Sequence, residues 1–208
     1  MGRINVSKTI AFSGRIGPVI SYVTRDGKQV FRTYTKPSNP RTPRQMAQRH
    51  KFALVIKSLS PLRAVIRRGY PNQEDAYHKL IGMALKEAVE GEYPDFLFNF
   101  SKIEIAGGLL QLSANTRMTY DPTTREARFS WDVPHQWAPA SGNYNDKVII
   151  VCLHATKHPE VITHHAGNRA QGEATITLPE GWQAAETHYW LYLTSPDMQE
   201  NSKSIYLA

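Results

Sequence analysis

The chain has few of the features that mark secreted, membrane-bound or thiol-dependent proteins. Cys152 is the only cysteine in 208 residues, so the sequence can form neither an internal disulfide nor a multi-cysteine zinc site. The longest apolar runs, such as residues 148–153, are far shorter than the roughly 20 residues of a membrane-spanning helix. No apolar signal segment follows the N-terminus. We expect a protein without membrane association, located in the cytoplasm or within a particle assembled there.

Recognisable catalytic motifs are also missing. The sequence contains no GxxxxGK[ST] phosphate loop, no GxSxG nucleophile elbow and no HExxH pair. Four histidines do lie within twelve residues, a density that can mark a metal site: His154, His158, His164 and His165. We interpret this segment as a strand followed by a surface loop, and a metal-dependent enzyme that uses the loop is the alternative. The sequence therefore assigns no catalytic residue, no metal ligand and no cofactor.

Acidic residues are scarce in the first third of the chain. Residues 1–72 carry fifteen Lys or Arg and one acid, Asp26, whereas residues 73–208 carry ten bases and seventeen acids. The overall net charge of +7 hides this asymmetry. A segment with charge of one sign lowers its self-repulsion by meeting a polyanion or an acidic surface. We interpret the front as a region that binds a partner, and an ordinary solvated basic face is the alternative.

The first 34 residues predict extended structure. Residues 16–23 and 29–34 are rich in β-branched and aromatic types and flank Asp26-Gly27. Asp-Gly between two such runs predicts a hairpin with a type I′ turn, because that turn needs positive φ at both central residues. A two-stranded hairpin is marginal in water, so a further element must pack on it.

Two helices should follow the proline-containing linker at residues 36–41. Thr42-Pro43-Arg44-Gln45 matches a capping box and predicts a helix from Pro43 to about Leu59. Its apolar stripe comprises Met46, Phe52, Val55, Ile56 and Leu59. A second helix should begin at an Asn72 cap and bury Tyr77, Leu80, Ile81, Ala84, Leu85, Ala88 and Val89. A helical hairpin is the expected arrangement.

From residue 96 onward the helical periodicity disappears and short strand candidates follow one another. They are residues 96–100, 102–106, 109–113, 127–133, 147–154, 174–178, 188–194 and 204–207. This spacing is typical of a β-sandwich, and we predict one of the immunoglobulin or fibronectin type III kind. The predicted fold is α+β, with a hairpin and two-helix region at residues 1–92 and the sandwich at residues 93–208.

The candidate partner-binding residues are cations of the basic front together with two tyrosines. They are Arg15, Arg25, Lys28, Arg32, Lys36, Arg41, Arg44, Arg49, Lys51, Arg67, Arg68, Tyr22 and Tyr34. Such a mixture suits phosphate contacts with some base stacking. No zinc finger, RNP sequence or KH loop is present, so nucleic-acid binding would be directed at the backbone and sensitive to salt. The competing partner is an acidic protein surface, including that of a second copy in a homo-oligomer.

The front of the chain also resembles an uncharacterised bacterial family, one with a domain of unknown function. The resemblance rests on Ser13-Gly14-Arg15-Ile16-Gly17-Pro18-Val19, Tyr22, Gly27-Lys28, Arg32 and the segment SNPRTPRQMAQRHKF at residues 38–52. That family has a basic N-terminal hairpin, an Asn-Pro-Arg-Thr-x-x-Gln helix start and a β-rich C-terminal part. The Asn-Pro-Arg-Thr-Pro-x-Gln segment is also similar to segments of small phage or mobile-element proteins. The resemblance implies a non-enzymatic assembly role, such as a structural component of a virion or mobile element.

Overall fold

Three α-helices and thirteen strands lie along the described part of the chain, which in this computed structural model comprises residues 3–4, 13–36, 38–39, 41–133 and 142–207. The fold is mixed α+β, as predicted. The chain divides into two compact units, Met1–Thr42 and Pro43–Ala208, hereafter the N-terminal and C-terminal units. The division differs from the predicted one after residue 92, because the helices share a hydrophobic core with the strands that follow them. Pro37 and Pro40 of the predicted linker lie outside the described residues.

The N-terminal unit contains a four-stranded antiparallel sheet. Its strands are β1 (Arg3–Ile4), β2 (Gly14–Ile16), β3 (Val19–Val23) and β4 (Gln29–Thr33), in the order β1-β4-β3-β2. The predicted hairpin is confirmed as β3 and β4. The strands β1 and β2 supply the further pairing that an isolated hairpin lacks.

The turn of this hairpin differs from the type I′ prediction. The amide of Gly27 donates to the carbonyl of Thr24 at 2.9 Å, and the amide of Thr24 donates to the carbonyl of Lys28 at 2.8 Å. Gly27 has a φ of 73°, whereas Asp26 is not in the positive-φ region. The loop is therefore longer than two residues. It needs positive φ only at the glycine, where that conformation costs least.

The helices are α1 (Pro43–Leu59), α2 (Arg63–Gly69) and α3 (Ala76–Glu87). The bounds of α1 are those predicted. Its apolar stripe is buried only toward the C-terminal end, since Met46 and Phe52 remain 37% and 49% exposed. The prediction that α3 is capped by Asn72 is wrong. A turn in which the Gln73 amide donates to the Tyr70 carbonyl delays the helix, and Asp75 occupies the N-cap position without a side-chain cap.

The remaining strands of the C-terminal unit form three antiparallel sheets. They are β5 (Val89–Glu90), β6 (Leu97–Phe98), β7 (Arg117–Asp121), β8 (Glu126–Ser130), β9 (Lys147–His154), β10 (Glu160–Asn168), β11 (Glu173–Thr177), β12 (Thr187–Thr194) and β13 (Ile205–Leu207). One sheet has the order β10-β9-β12-β13, a second has the order β11-β8-β7, and β5 pairs with β6.

The strands β9 and β12 are buried on both faces. On one face Ile149, Val151 and Trp190 pack in a core with the helices. On the other face Val148 and Ile150 pack in a second core with β8 and β11. The C-terminal unit thus has a layer of helices, a four-stranded sheet and a three-stranded sheet. Burial of each large apolar side chain contributes about 1.5–3 kcal/mol, so the continuous apolar run in β9 determines which strand is central.

The five later strand candidates are confirmed as β8, β9, β11, β12 and β13, while the earlier ones differ. Only Leu97–Phe98 is a strand within residues 96–100, and a 3₁₀ turn (Phe100–Lys102) follows it. Residues 102–106 bury Ile103 and Ile105 without joining a sheet. Residues 109–113 contribute a single bridge from Leu110 to Ser202. Strands β7 and β10 were not predicted, because polar residues interrupt their apolar pattern.

Candidate anion-binding surface

Four of the candidate residues lie on one face of the N-terminal sheet. Arg15 pairs with Ile20, and Ile20 pairs with Arg32, so these residues share one face across three strands. Tyr22, two residues after Ile20, lies on the same face. The guanidinium of Arg15 lies 3.8 Å from the ring centroid of Tyr34, which places that ring there too. We call Arg15, Tyr22, Arg32 and Tyr34 the basic face.

Arg15 and Tyr34 of the basic face are held in place, and the face is accessible to solvent. The Nε of Arg15 donates to the carbonyl of Gly17 at 2.9 Å, and the amide of Tyr34 donates to the carbonyl of Pro18 at 2.7 Å. These bonds orient the cation–π pair. Arg15 and Arg32 are exposed, and Tyr22 is 39% exposed. The face therefore presents two cations and an aromatic surface, a combination that can contact phosphates and stack on a base.

The other four candidate cations of the N-terminal unit lie in the segments directly before and after β4. Arg25 and Lys28 lie in the exposed turn between β3 and β4, and Lys36 and Arg41 lie in the exposed segment after β4. None of the six candidate cations of this unit forms an ion pair with a carboxylate in the described part of the chain. The six are Arg15, Arg25, Lys28, Arg32, Lys36 and Arg41.

The candidate cations of the C-terminal unit are spread over three places. Arg44 and Lys51 are seven residues apart and therefore lie on one face of α1, whereas Arg49 lies on the face that carries Phe52. Arg67 is exposed on α2. Arg68, at the end of α2, lines a cleft against the four-stranded sheet. The structure thus brings the N-terminal candidates together on one sheet but does not gather those of the helices.

In the described part of the chain, the Lys and Arg residues that pair with carboxylates all lie in residues 73–208, where acids are more numerous. Five of the ten cations in residues 73–208 contact a carboxylate, at N–O distances between 3.0 and 3.9 Å: Lys79, Lys102, Arg128, Arg169 and Lys203. Four of these pairs are exposed and stabilise little, whereas the Arg169–Asp146 pair is buried, but all five neutralise charge locally. The cations of the N-terminal sheet have no such neutralisation within the described residues.

The histidine-rich segment consists of the end of one strand, an exposed loop that contains His158, and a second strand. His164 and His165 lie on β10, where they pair with Ile150 and Ile149 of β9, and adjacent strand residues point to opposite faces. His154 ends β9 and stacks on Trp182, with ring centroids 5.1 Å apart. Within the described residues, no three His, Cys, Asp or Glu side chains are close enough together to hold a metal ion. The loop prediction holds for His158 but is wrong for His164 and His165, which interrupt the alternation of a real strand.

Cys152 is fully buried in the second core, and burial raises the pKa of its thiol to about 12, so it is an inert apolar side chain. No helix in the described ranges has both the length and the apolar character required to cross a bilayer.

Comparison with known proteins gives a family and nothing more specific. No curated protein and no solved structure matches the chain. The model of a family of unknown function, DUF6266, matches residues 11–208. This match includes the basic front from β2 onward and all three sheets of the C-terminal unit. The predicted resemblance to an uncharacterised family is confirmed, and the chain belongs to the family of unknown function DUF6266.

Proposed function

We propose that the protein is a non-catalytic binding or assembly protein whose basic N-terminal region holds an anionic partner, and that this partner is a single-stranded nucleic acid contacted through its backbone. The observation that carries the proposal is the set of six exposed cations in the N-terminal unit without an ion pair to any described carboxylate. Unneutralised cations gain most from a partner that supplies the missing negative charge.

The arrangement of the basic face favours nucleic acid over an acidic protein surface. An acidic surface requires cations alone, whereas Tyr22 and Tyr34 interleave with Arg15 and Arg32 on the same side of the sheet. Tyrosine rings stack on bases of any sequence, and arginines contact the phosphates between them. The absence of a base-reading motif from the sequence accords with a partner bound without regard to sequence.

The proposal predicts a steep dependence of affinity on salt. Each phosphate contact with a single strand lowers the slope of log K against log salt by roughly 0.7. Six contacts from the N-terminal unit would give a slope of about −4. The test is fluorescence anisotropy of a labelled oligothymidine with the full chain over a series of salt concentrations.

Variants of the basic face make this test specific. Replacing Arg15 and Arg32 by Gln removes two contacts, so the slope should become shallower by about 1.4. Tyr22→Ala should weaken binding about tenfold at all salt concentrations, because a base stacked on an aromatic ring contributes roughly 1–3 kcal/mol. A matched control replaces Arg117 and Lys157, two exposed cations of the C-terminal unit, by Gln and should leave the slope unchanged.

Two outcomes would count against the nucleic-acid form of the proposal. One is no binding at low salt by the folded wild-type chain, and the other is an equal loss in the control variant. Sedimentation of the same protein then distinguishes the competing partner. An oligomer that dissociates in salt, and in a variant with Arg41, Arg44 and Arg49 changed to Glu, would identify the acidic surface of a second copy as the partner.

We also infer that the two larger sheets of the C-terminal unit form a sandwich of the immunoglobulin or fibronectin type III kind, with an added helical layer. The support is the order of the strands. From β7 onward, the first, second and fifth strands form one sheet, and the fourth, third, sixth and seventh form the other. The constant-type immunoglobulin sandwich differs only in that its fourth strand joins the first sheet. Interstrand NMR contacts between β9 and β10 test this order, and contacts of β10 with β11 alone would contradict it.

A further inference from the structure

A cleft opens on the helix-facing side of the four-stranded sheet, beyond the end of α2. It has a volume of about 250 Å³. Residues from α2, the segment after α2, three strands and the connection between β12 and β13 line it: Arg68, Pro71, Ile149, Thr163, His165, Tyr192, Thr194, Met198 and Asn201. We call it the Arg68 cleft. It lies wholly within the C-terminal unit and shares no residue with the basic face.

The floor of the Arg68 cleft is one row across the sheet. Ile149 of β9 pairs with His165 on one side and with Tyr192 on the other, so the three side chains stand next to each other on one face. Ile149 and Tyr192 are only 3% and 4% exposed, whereas His165 is exposed at the rim. The floor is therefore apolar at its centre and polar at its edges.

Asn201 holds the end of α2 over this floor. Its Nδ2 donates to the carbonyls of Arg68 and Gly69, both at 2.9 Å, and the side chain is buried. Gly69 also lets the end of α2 pack closely against the backbone of Ile105, because a Cβ at residue 69 would clash with the Ile105 carbonyl oxygen. The backbone that carries Arg68 is consequently fixed relative to the sheet, which lowers the entropic cost of binding at this point.

The Arg68 guanidinium and the Tyr192 hydroxyl are both available to a ligand in the cleft. None of the lining residues is an acid, and Arg68 forms no ion pair with a carboxylate anywhere in the described ranges. The hydroxyl of Tyr192 makes no hydrogen bond to a described residue, and its oxygen keeps some solvent exposure although the residue as a whole is only 4% exposed. Burial raises the pKa of Tyr192 to about 12, with a smaller opposing effect of Arg68, so this hydroxyl stays protonated and can donate. A guanidinium and a phenol donor thus both line the cleft beside its apolar floor.

We propose that the Arg68 cleft binds the carboxylate end of a small apolar acid, with Arg68 and Tyr192 donating to the carboxylate and Ile149 and Met198 contacting the apolar body. The volume corresponds to on the order of eight water molecules, which suits a short aliphatic or aromatic acid. A phosphate would leave the apolar floor uncovered. The acid can be a free molecule or the C-terminal residue of a peptide, since the recognised chemistry is the same.

The experiment is NMR titration of the full, isotope-labelled chain with sodium hexanoate in the millimolar range. We expect saturable shifts at the amides that surround the cleft, and binding at least about tenfold weaker for hexan-1-ol, which lacks the charge. Arg68→Gln should weaken hexanoate binding about tenfold or more, and Tyr192→Phe should weaken it by a few-fold, because charge-assisted hydrogen bonds are the stronger ones. Arg67→Gln, a change of an adjacent exposed arginine outside the cleft, should have no effect.

The arms of the experiment separate the sources of the carboxylate and define failure. Binding of a short leucine-ended peptide with a free C-terminus, but not of its amide, would identify a peptide terminus, and binding of hexanoate alone would identify a free acid. No saturable shift with hexanoate, equal binding of hexan-1-ol, or stronger binding of inorganic phosphate would each overturn the proposal. An equal loss in the Arg67 and Arg68 variants would also overturn it.

Discussion

Asn201→Ala should destabilise the C-terminal unit, because Asn201 joins two elements far apart in sequence. Its Nδ2 donates to the carbonyls of Arg68 and Gly69 at 2.9 Å, and the residue is 2% exposed. The Gly69 carbonyl keeps a second donor, the Gly107 amide at 3.1 Å. Asn201→Ala therefore leaves only the Arg68 carbonyl without its hydrogen-bond donor. At about 0.5–1.5 kcal/mol for each hydrogen bond, and more for a buried acceptor left unpaired, the loss should be about 2–3 kcal/mol.

Thermal and urea unfolding of the variant and the wild type measure this loss. For a chain of this length, 1 kcal/mol shifts Tm by about 2–4 °C, so the Tm should fall by about 5–10 °C. Asn72→Ala is the matched control, because it removes the same amide from an exposed site whose bond to the Gln199 carbonyl is 3.5 Å long. The control should stay within about 0.5 kcal/mol of the wild type. If the two variants were equally stable, the assigned role of Asn201 would be refuted.

Three further predictions concern the C-terminal unit. Gly69→Ala should destabilise it by about 3 kcal/mol or more, because a Cβ at residue 69 would clash with the Ile105 carbonyl. Gly82→Ala should instead stabilise it by about 0.5–1 kcal/mol, because this exposed helical site has open space for a Cβ. Urea unfolding measures both, and a loss in both variants would contradict the stated packing. Cys152 should resist an aromatic disulfide reagent in the native chain and react only after unfolding, since burial raises the pKa of its thiol to about 12; rapid native labelling would disprove its burial. Burial lowers the pKa of His188, so the unfolded chain binds protons more readily and stability should decrease as the pH falls below about 6.5. His188→Gln should flatten that part of the stability profile, and an unchanged slope would exclude His188 as its source.

Local patterns in the sequence were sufficient for the elements whose signals are local. The helix start at Thr42-Pro43 and the apolar run of β9 were predictable, because capping and side-chain periodicity act over a few residues. The hairpin was predictable for the same reason, although its turn type was not. Strand β10 was missed, because polar residues interrupt its apolar pattern and only its pairing with β9 identifies it as a strand.

The candidate sites divide in the same way. Composition alone identified the basic front, and period-two alternation put Arg32 and Tyr34 on one side of a strand. That Arg15 joins them depended on the pairing of β2 with β3, which no local pattern encodes. The Arg68 cleft needed still more, since its lining comes from segments that are up to 133 residues apart, as for Asn201 and Arg68.

By itself, the sequence determined the charge asymmetry, the mixed α+β character and the absence of recognisable catalytic motifs. These properties depend on composition and on short-range preferences that persist whatever the chain packs against. The tertiary structure alone decided that the helices share a core with the strands, that His165, Ile149 and Tyr192 form one row, and that Arg68 stands over it. The physical reason is that burial and strand register are collective: a side chain's neighbours are set by the packing of distant segments, which the local sequence does not specify.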